Sequence, residues 1–220
     1  LTKNRSRIRI QEGQHTFVVG KSGMGKTKLI KEWIRKKLSI QPLLNVYHVD
    51  TKKRGDFDSS DGTMILSENP PPAFTTGGNR MVWQPLVDDK DNYTRFFLSI
   101  LNAGLPAIVN IDEAINMNFG GDPPRGLSIL VAQGRLPGIH VIAGTQEVAR
   151  APRQLLSQAS TIIGFNVINH YDMSIMKKYL MIPKEIAYRI KKFNFWHLRP
   201  DMDDKPILFH SYEEWLSTII

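Results

Sequence analysis

The stretch Gly20-Lys21-Ser22-Gly23-Met24-Gly25-Lys26-Thr27 constrains this chain more than any other. It has the form G-x-x-x-x-G-K-T, follows the apolar run Phe17-Val18-Val19, and leads into Leu29, Ile30, Trp33, Ile34 and Leu38 at helical spacing. Strand, glycine-rich turn and helix in that order describe a P-loop. Its glycines let successive backbone N–H groups curl around phosphate oxygens, its lysine reaches the β- and γ-phosphates, and its threonine hydroxyl can ligate Mg²⁺. The phosphate-binding set is therefore Gly20, Lys21, Ser22, Gly23, Met24, Gly25, Lys26, Thr27 and Lys28, with Lys26 also catalytic and Thr27 a metal ligand. A nucleoside triphosphate is the expected ligand. What is done with it must be read elsewhere.

The second informative stretch is Ala107-Ile-Val-Asn-Ile-Asp-Glu113, an apolar strand that delivers an acidic pair at its end. Downstream of a P-loop this is the Walker B arrangement. Asp112 would hold Mg²⁺ through water, and Glu113 would polarise an attacking water. Asn110 departs from the apolar run and is expected to face a neighbouring strand or the site. Another apolar strand, Ile139–Ala143, ends in Gly144-Thr145-Gln146, where Gln146 could sense the γ-phosphate.

The remaining pattern alternates strands with helices. Strands are expected at His15–Val19, Leu43–Val49, Met81–Gln84 and Thr161–Phe165. Helices are expected from Lys26 to Leu38, Asp91 to Ala103, Leu127 to Leu136, up to Gln158, Tyr171 to Leu180 and Pro183 to Ile190. Pro70-Pro71-Pro72 and Gly77-Gly78 make Ser67–Asn79 a loop. Phe193–Leu198 and Pro206–His210 read as a hairpin around Arg199-Pro200-Asp201, and Glu213–Ile220 as a short amphipathic helix. The fold class is α/β: a mainly parallel central sheet flanked by helices, with a small C-terminal β-hairpin. One domain is expected over 1–220: a basic arm and edge strand at 1–14, a core at 15–170, and C-terminal helices and hairpin at 171–220.

Lys and Arg number 29 against 21 Asp and Glu, a net charge of +8. That excess favours a polyanionic partner, because each Lys or Arg contact to a phosphate releases a counterion. Lys3, Arg5, Arg7 and Arg9 in the arm, and Lys53 and Arg54 past the second strand, are placed for such contacts. With no cysteine there is no disulfide, Cys-based metal site or thiol nucleophile. No apolar run approaches the ~18 residues a membrane-spanning helix needs, and no signal peptide is visible.

Taken in order, the P-loop, the strand end Asp50-Thr51-Lys52, Ile111-Asp112-Glu113-Ala114 and above all Gly134-Arg135-Leu136-Pro137-Gly138-Ile139-His140-Val141-Ile142-Ala143-Gly144-Thr145-Gln146 resemble the FtsK/HerA superfamily of RecA-like motor ATPases. The resemblance spans residues 15 to about 170. It implies the RecA-like (ASCE) P-loop fold, ATP and Mg²⁺ as cofactors, and ATP hydrolysis coupled to translocation of double-stranded DNA. Lys26 and Thr27 would hold triphosphate and Mg²⁺, Asp112 and Glu113 would be the Walker B pair, and Gln146 the sensor. Arg135 sits where the family places an arginine that reaches a neighbouring subunit's nucleotide; Arg125, Arg150 and Arg153 are rivals. A homo-oligomeric ring, expected to be a hexamer, follows, with Lys53, Arg54, Arg80 and Arg125 as candidate DNA contacts.

A chain of this size most resembles the genome-packaging ATPases of tailless icosahedral viruses with an internal membrane. That implies capsid or portal-vertex proteins as partners, and the host cytoplasm or the virion as location. A plasmid-transfer or DNA-processing motor of the same superfamily is the alternative. A small-molecule kinase is a third reading, disfavoured because Asp112-Glu113 with Gln146 suits water activation. A GTPase is disfavoured because no Asn-Lys-x-Asp tetrapeptide occurs.

Overall fold

The computed structural model describes residues 14–52, 56–166, 170–180, 194–199 and 206–218. The basic arm, Lys53, Arg54, the Pro183–Ile190 helix and the Pro200-Asp201 turn lie outside the described residues. The rest forms one nine-stranded sheet in the order β3-β4-β2-β5-β6-β1-β7-β8-β9. Its strands are β1 His15–Val19, β2 Asn45–Val49, β3 Thr63–Ser67, β4 Arg80–Pro85, β5 Ala107–Ile111, β6 Ile139–Thr145, β7 Ala159–Gly164, β8 Phe195–Leu198 and β9 Ile207–Phe209. β1 to β7 are parallel, and β8 and β9 complete the sheet as the antiparallel hairpin expected.

The central strands read as continuous apolar runs because helices cover both faces. Phe17, Val19, Tyr47, Val49, Val109, Ile111, Val141 and Ala143 pack toward one core. It is shared with α2 (Lys90–Ala103), α3 (Arg125–Gln133), α4 (Arg153–Ser157) and α5 (His170–Leu180). The alternate residues Val18, Val46, Ile108 and Ile142 face the second core, under α1 (Lys26–Ile40) and α6 (Tyr212–Leu216). Alternation sends successive side chains to opposite faces, so a doubly covered strand has no polar face to display. Trp33, buried in that second core, meets Trp215 edge-on at 5.5 Å and His140 at 5.0 Å, which ties the C-terminal helix to α1.

Three local differences from the sequence reading have physical causes. Thr63–Ser67 is an edge strand the sequence reading lacks; it pairs on one side only, with β4, so its half-exposed residues carry no buried pattern. α3 starts at Arg125 and ends at Gln133, because the Gly134–Gly138 turn closes it early. The Pro-rich loop folds back onto the core, where Phe74 stacks on Tyr47 at 5.0 Å and donates its N–H to the phenol oxygen.

Buried histidines link this core to pH. His15 donates from Nε2 to Val131 O (2.8 Å) and accepts at Nδ1 from Val141 N–H (3.1 Å), which fixes it as a neutral tautomer. Burial lowers the pKa of His15 and of His48, which stacks on Phe57, to about 4, and holds His140 well below its ordinary value. Between pH 6.5 and 4 the unfolded chain binds protons that the native histidines refuse. Stability should therefore fall as pH drops through 6.5, by on the order of 2 kcal/mol per histidine at pH 5. Asp112, raised to about 6 by burial, changes stability in the opposite sense and offsets part of the loss. Thermal unfolding followed from pH 7 to 5 should give a steadily falling midpoint; a flat profile would contradict the neutral assignment.

Candidate nucleotide site

The P-loop emerges at the carboxyl edge of the sheet, clamped between its two neighbour strands. Gly20 N–H donates to Thr145 O (3.2 Å) at the end of β6, and Lys21 N–H to Asn166 O (2.8 Å) beyond β7. A Cβ on Gly20 would collide with the Phe165 side chain, so this close approach admits only glycine. Gly25 is the residue before α1, with φ of 103°, a left-handed conformation that other residues adopt at a cost. It makes no side-chain cap, and the first turn of α1 carries no acidic residue. α2 is built differently: Asp89 accepts from the N–H groups of Asp91 (2.6 Å) and Asn92 (3.1 Å). At α1 the first-turn N–H groups are left to an external anion.

Lys26 is buried and donates back to the loop carbonyls of Gly20 (2.5 Å) and Lys21 (3.2 Å). Burial, then repulsion from Lys52, lowers its pKa to about 8. Lys21, Ser22 and Gly23 are exposed on the turn, and Met24 and Thr27 are part-buried. The Lys28 side chain leaves the loop and sits over the Tyr212 ring, 5.3 Å from its centroid, so Lys28 offers phosphate its backbone N–H and not its ammonium. Tyr212 itself donates to Gly25 O (3.0 Å), a brace on the loop from α6. The sequence reading missed it.

Opposite the loop stand the two carboxylates at the end of β5. Both are buried, and β6 lies between their strand and the P-loop strand. This interposed strand delivers Gln146 directly to Glu113: the Gln146 backbone N–H donates to Oε1 (2.9 Å) and its side-chain Nε2 to Oε2 (3.0 Å). Asp112 Oδ2 is buried with no hydrogen-bond partner, and only the Lys52 ammonium, 3.2 Å away, faces it. The distance is short enough for a hydrogen bond but the contact is an ion pair without that geometry. A buried carboxylate oxygen held only by a charge is a suitable donor for a hard cation. Asp112 would be the carboxylate ligand that Mg²⁺ takes beside substrate phosphates, and the part-buried Thr27 hydroxyl on the loop would be a second protein oxygen. No group of three His, Cys, Asp or Glu among the described residues could hold a metal by itself.

Lys52 is the second residue the sequence reading left without a role. Burial pushes its ammonium toward the neutral form, but Asp112, Glu113 and Asp56 outweigh it and hold the pKa above its ordinary value. Beside it Thr51 donates to Glu113 O (3.3 Å) and accepts from Asn116 Nδ2 (3.1 Å). Thr51, Lys52, Glu113, Asn116, Gln146 and Glu147 line a polar cavity of about 310 Å³ at the carboxyl edge of the sheet. An apolar cavity of about 320 Å³, lined by Leu43, Pro106, Gly138 and His140 among others, lies at the amino edge and includes no residue of the P-loop or of the Asp112-Glu113 pair. Asn110 turns to its neighbour strand, where Nδ2 donates to His48 Nδ1 (3.2 Å).

Arg135 is not brought to this site. It precedes β6 at the amino edge of the sheet and donates from Nη2 to Gln158 O (2.8 Å), whereas the P-loop follows β1 at the carboxyl edge. The 7 residues of β6 put roughly 23 Å between those edges. Of its rivals, Arg150 lies at the carboxyl edge beside Glu147 (3.5 Å), Arg153 opens α4 and Arg125 opens α3; all are exposed. Arg80 begins β4 at the amino edge, so the structure does not gather Arg80 and Arg125 into one patch.

No protein-family model matches the sequence, and no curated protein matches it. Solved structures do match. The genome packaging NTPase of Sulfolobus turreted icosahedral virus 2 in complex with ATP-gammaS is 17% identical, with a TM-score of 0.75 over 90% of this chain and 98% of that one. The DNA-packaging ATPase of Sulfolobus turreted icosahedral virus is 14% identical, with a TM-score of 0.75 over 92% and 99%. The pCW3 conjugation coupling protein TcpA with ATPgS is 16% identical, with a TM-score of 0.63 over 91% of this chain and 61% of that one. No helix among the described residues is long and apolar enough to cross a membrane. The chain has the RecA-like P-loop fold that these packaging and conjugation proteins share: a mostly parallel sheet flanked by helices, closed by an antiparallel hairpin.

Proposed function

We propose that this chain is an ATP-hydrolysing motor that translocates double-stranded DNA, most specifically a packager of viral genomes into a preformed capsid. One observation carries the reading: the P-loop lysine, two buried Walker B carboxylates and a glutamine that binds Glu113 through two hydrogen bonds converge on one edge of the sheet. A water between Glu113 and a phosphate at the loop would be oriented by Glu113, which Gln146 holds in place and which can take its proton. Mg²⁺ held by Thr27 and Asp112 would neutralise charge on the transferring phosphoryl group. The kinase reading is disfavoured because Asp112-Glu113 with Gln146 suits the activation of water.

The packaging reading has its support in the structural match, since the viral packaging enzymes superpose better than TcpA (TM-scores 0.75 against 0.63). A DNA-transfer motor is the second reading, favoured by the same match to TcpA. The motor would be a single domain spanning residues 1–220, act in the host cytoplasm or virion, and assemble as a homo-oligomeric ring, a hexamer in our reading. Arg135 would then act across a subunit boundary, and capsid or portal-vertex proteins would be its docking partners.

ATP turnover measured with and without duplex DNA tests the proposal. DNA should stimulate turnover, and the stimulation should collapse with salt. A channel making 6–10 phosphate contacts loses about 10³–10⁵ in affinity between roughly 50 and 200 mM salt. Turnover indifferent to DNA, or unchanged in Lys26→Ala, would sink the motor reading.

A further inference from the structure

Lys52 is the charged residue of the site that neither the P-loop nor the Walker B pattern explains. Its ammonium lies 3.2 Å from Asp112 Oδ2, 3.5 Å from Glu113 Oε2 and 4.0 Å from Asp56 Oδ2, on a side chain only 12% exposed. Lys26, on the loop, feels Lys52, past β2, as its strongest charged neighbour, and the two ammonium groups repel one another.

The Asp112 oxygen that Lys52 faces has no hydrogen-bond donor of its own. A divalent cation at Asp112 would repel the ammonium and offset the carboxylate charge that holds it there. A cation taken up by Asp112 therefore releases Lys52, which keeps its charge and needs another anion. The terminal phosphate held by Lys26 is the group able to supply it, and it would also relieve the repulsion between the two lysines.

We propose that Lys52 is a second phosphate-binding cation, which neutralises Asp112 and Glu113 and passes from them to the terminal phosphate, so that the site distinguishes a triphosphate from a diphosphate. This inference rests on reading the site as one for nucleotide. A lysine that only neutralises buried carboxylates would support both nucleotides equally, because a diphosphate leaves the carboxylates where they are.

The test is calorimetric binding of ATPγS and of ADP, each with Mg²⁺, to the full chain and to its Lys52→Met and Lys52→Arg variants. Lys52→Met should weaken ATPγS binding about 10- to 100-fold, the usual worth of a charged hydrogen bond, and change ADP binding by less than about threefold. Lys52→Arg should recover most of the difference. Equal losses for both nucleotides, or no loss for either, would overturn the proposal while leaving the nucleotide reading intact. If the unaltered chain binds neither, the nucleotide reading falls and this proposal with it. Should thermal unfolding show that Lys52→Met does not fold, the double variant Lys52→Met/Glu113→Gln removes a carboxylate together with the ammonium. Its ATPγS-to-ADP ratio, compared with that of Glu113→Gln alone, reads the same quantity.

Discussion

Glu113→Gln should lower ATP turnover by about 10²–10⁴-fold, the range over which a positioned general base contributes, and leave ATPγS binding within a few-fold. The substitution keeps the size of the side chain. It also keeps an oxygen able to accept from the Gln146 backbone N–H, now 2.9 Å from Oε1. What it removes is the capacity to take a proton from water, together with the negative charge that Lys52 faces at 3.5 Å. Binding should survive, because the phosphate-holding groups, the loop with Lys26 and in our proposal Lys52, are left in place. Single-turnover hydrolysis beside equilibrium binding separates the two effects. Full turnover in Glu113→Gln would move the base elsewhere, with Glu147 in the same cavity the first alternative. Lys26→Ala is the matching control, in which binding itself should fail.

Arg135→Ala should cost as much or more, about 10³–10⁵-fold, the scale on which an arginine supplied in trans stabilises the transferring phosphoryl group. In our reading this is a prediction about two subunits. Arg135 stands at the amino edge of its own sheet and cannot reach its own loop at the carboxyl edge. Mixing inactive Arg135→Ala with inactive Glu113→Gln should therefore restore turnover. The first supplies a complete loop and base, the second an intact arginine, and roughly a quarter of the interfaces in an equimolar ring combine both. Arg135 also holds the Gln158 carbonyl, so Arg135→Lys and a thermal-unfolding control separate lost catalysis from lost stability. A mixture as inactive as its parts, with both variants folded, would assign the role to Arg125, Arg150 or Arg153.

Much of the fold was legible because its signals are contiguous. The phosphate cradle is eight consecutive residues whose glycines are required by local geometry, as Gly25 at φ 103° illustrates. β1, β2, β5, β6 and β7 announce themselves as apolar runs because both of their faces are covered. β3 was not legible for the converse reason: an edge strand with one partner needs no such run. Asn110 could be marked as a departure, but its partner His48 sits 62 positions away on another strand.

The candidate site divides in the same way. Asp112, Glu113 and Gln146 were identifiable as strand-end residues, since parallel strands all deliver their carboxyl ends to one edge. That Gln146 would hold Glu113, and not sit elsewhere along the edge, depended on β6 lying between β5 and β1. Lys52 was visible as the end of the strand-end motif Asp50-Thr51-Lys52, yet nothing in its neighbours gave it a partner or a role. Tyr212 reaches Gly25 across 187 positions, and no local pattern reports that.

By itself, then, the sequence determined the loop, the acidic strand end and the alternation of buried strands with amphipathic helices, because each is a property of neighbouring residues and their periodicity. Only the tertiary structure decided which strands are neighbours, and with that three further facts: Lys52 against Asp112, Gln146 on Glu113, and Arg135 on the edge away from its own loop. Strand order is a matter of through-space packing, and strands that are equally apolar on both faces carry almost no record of it in their own residues.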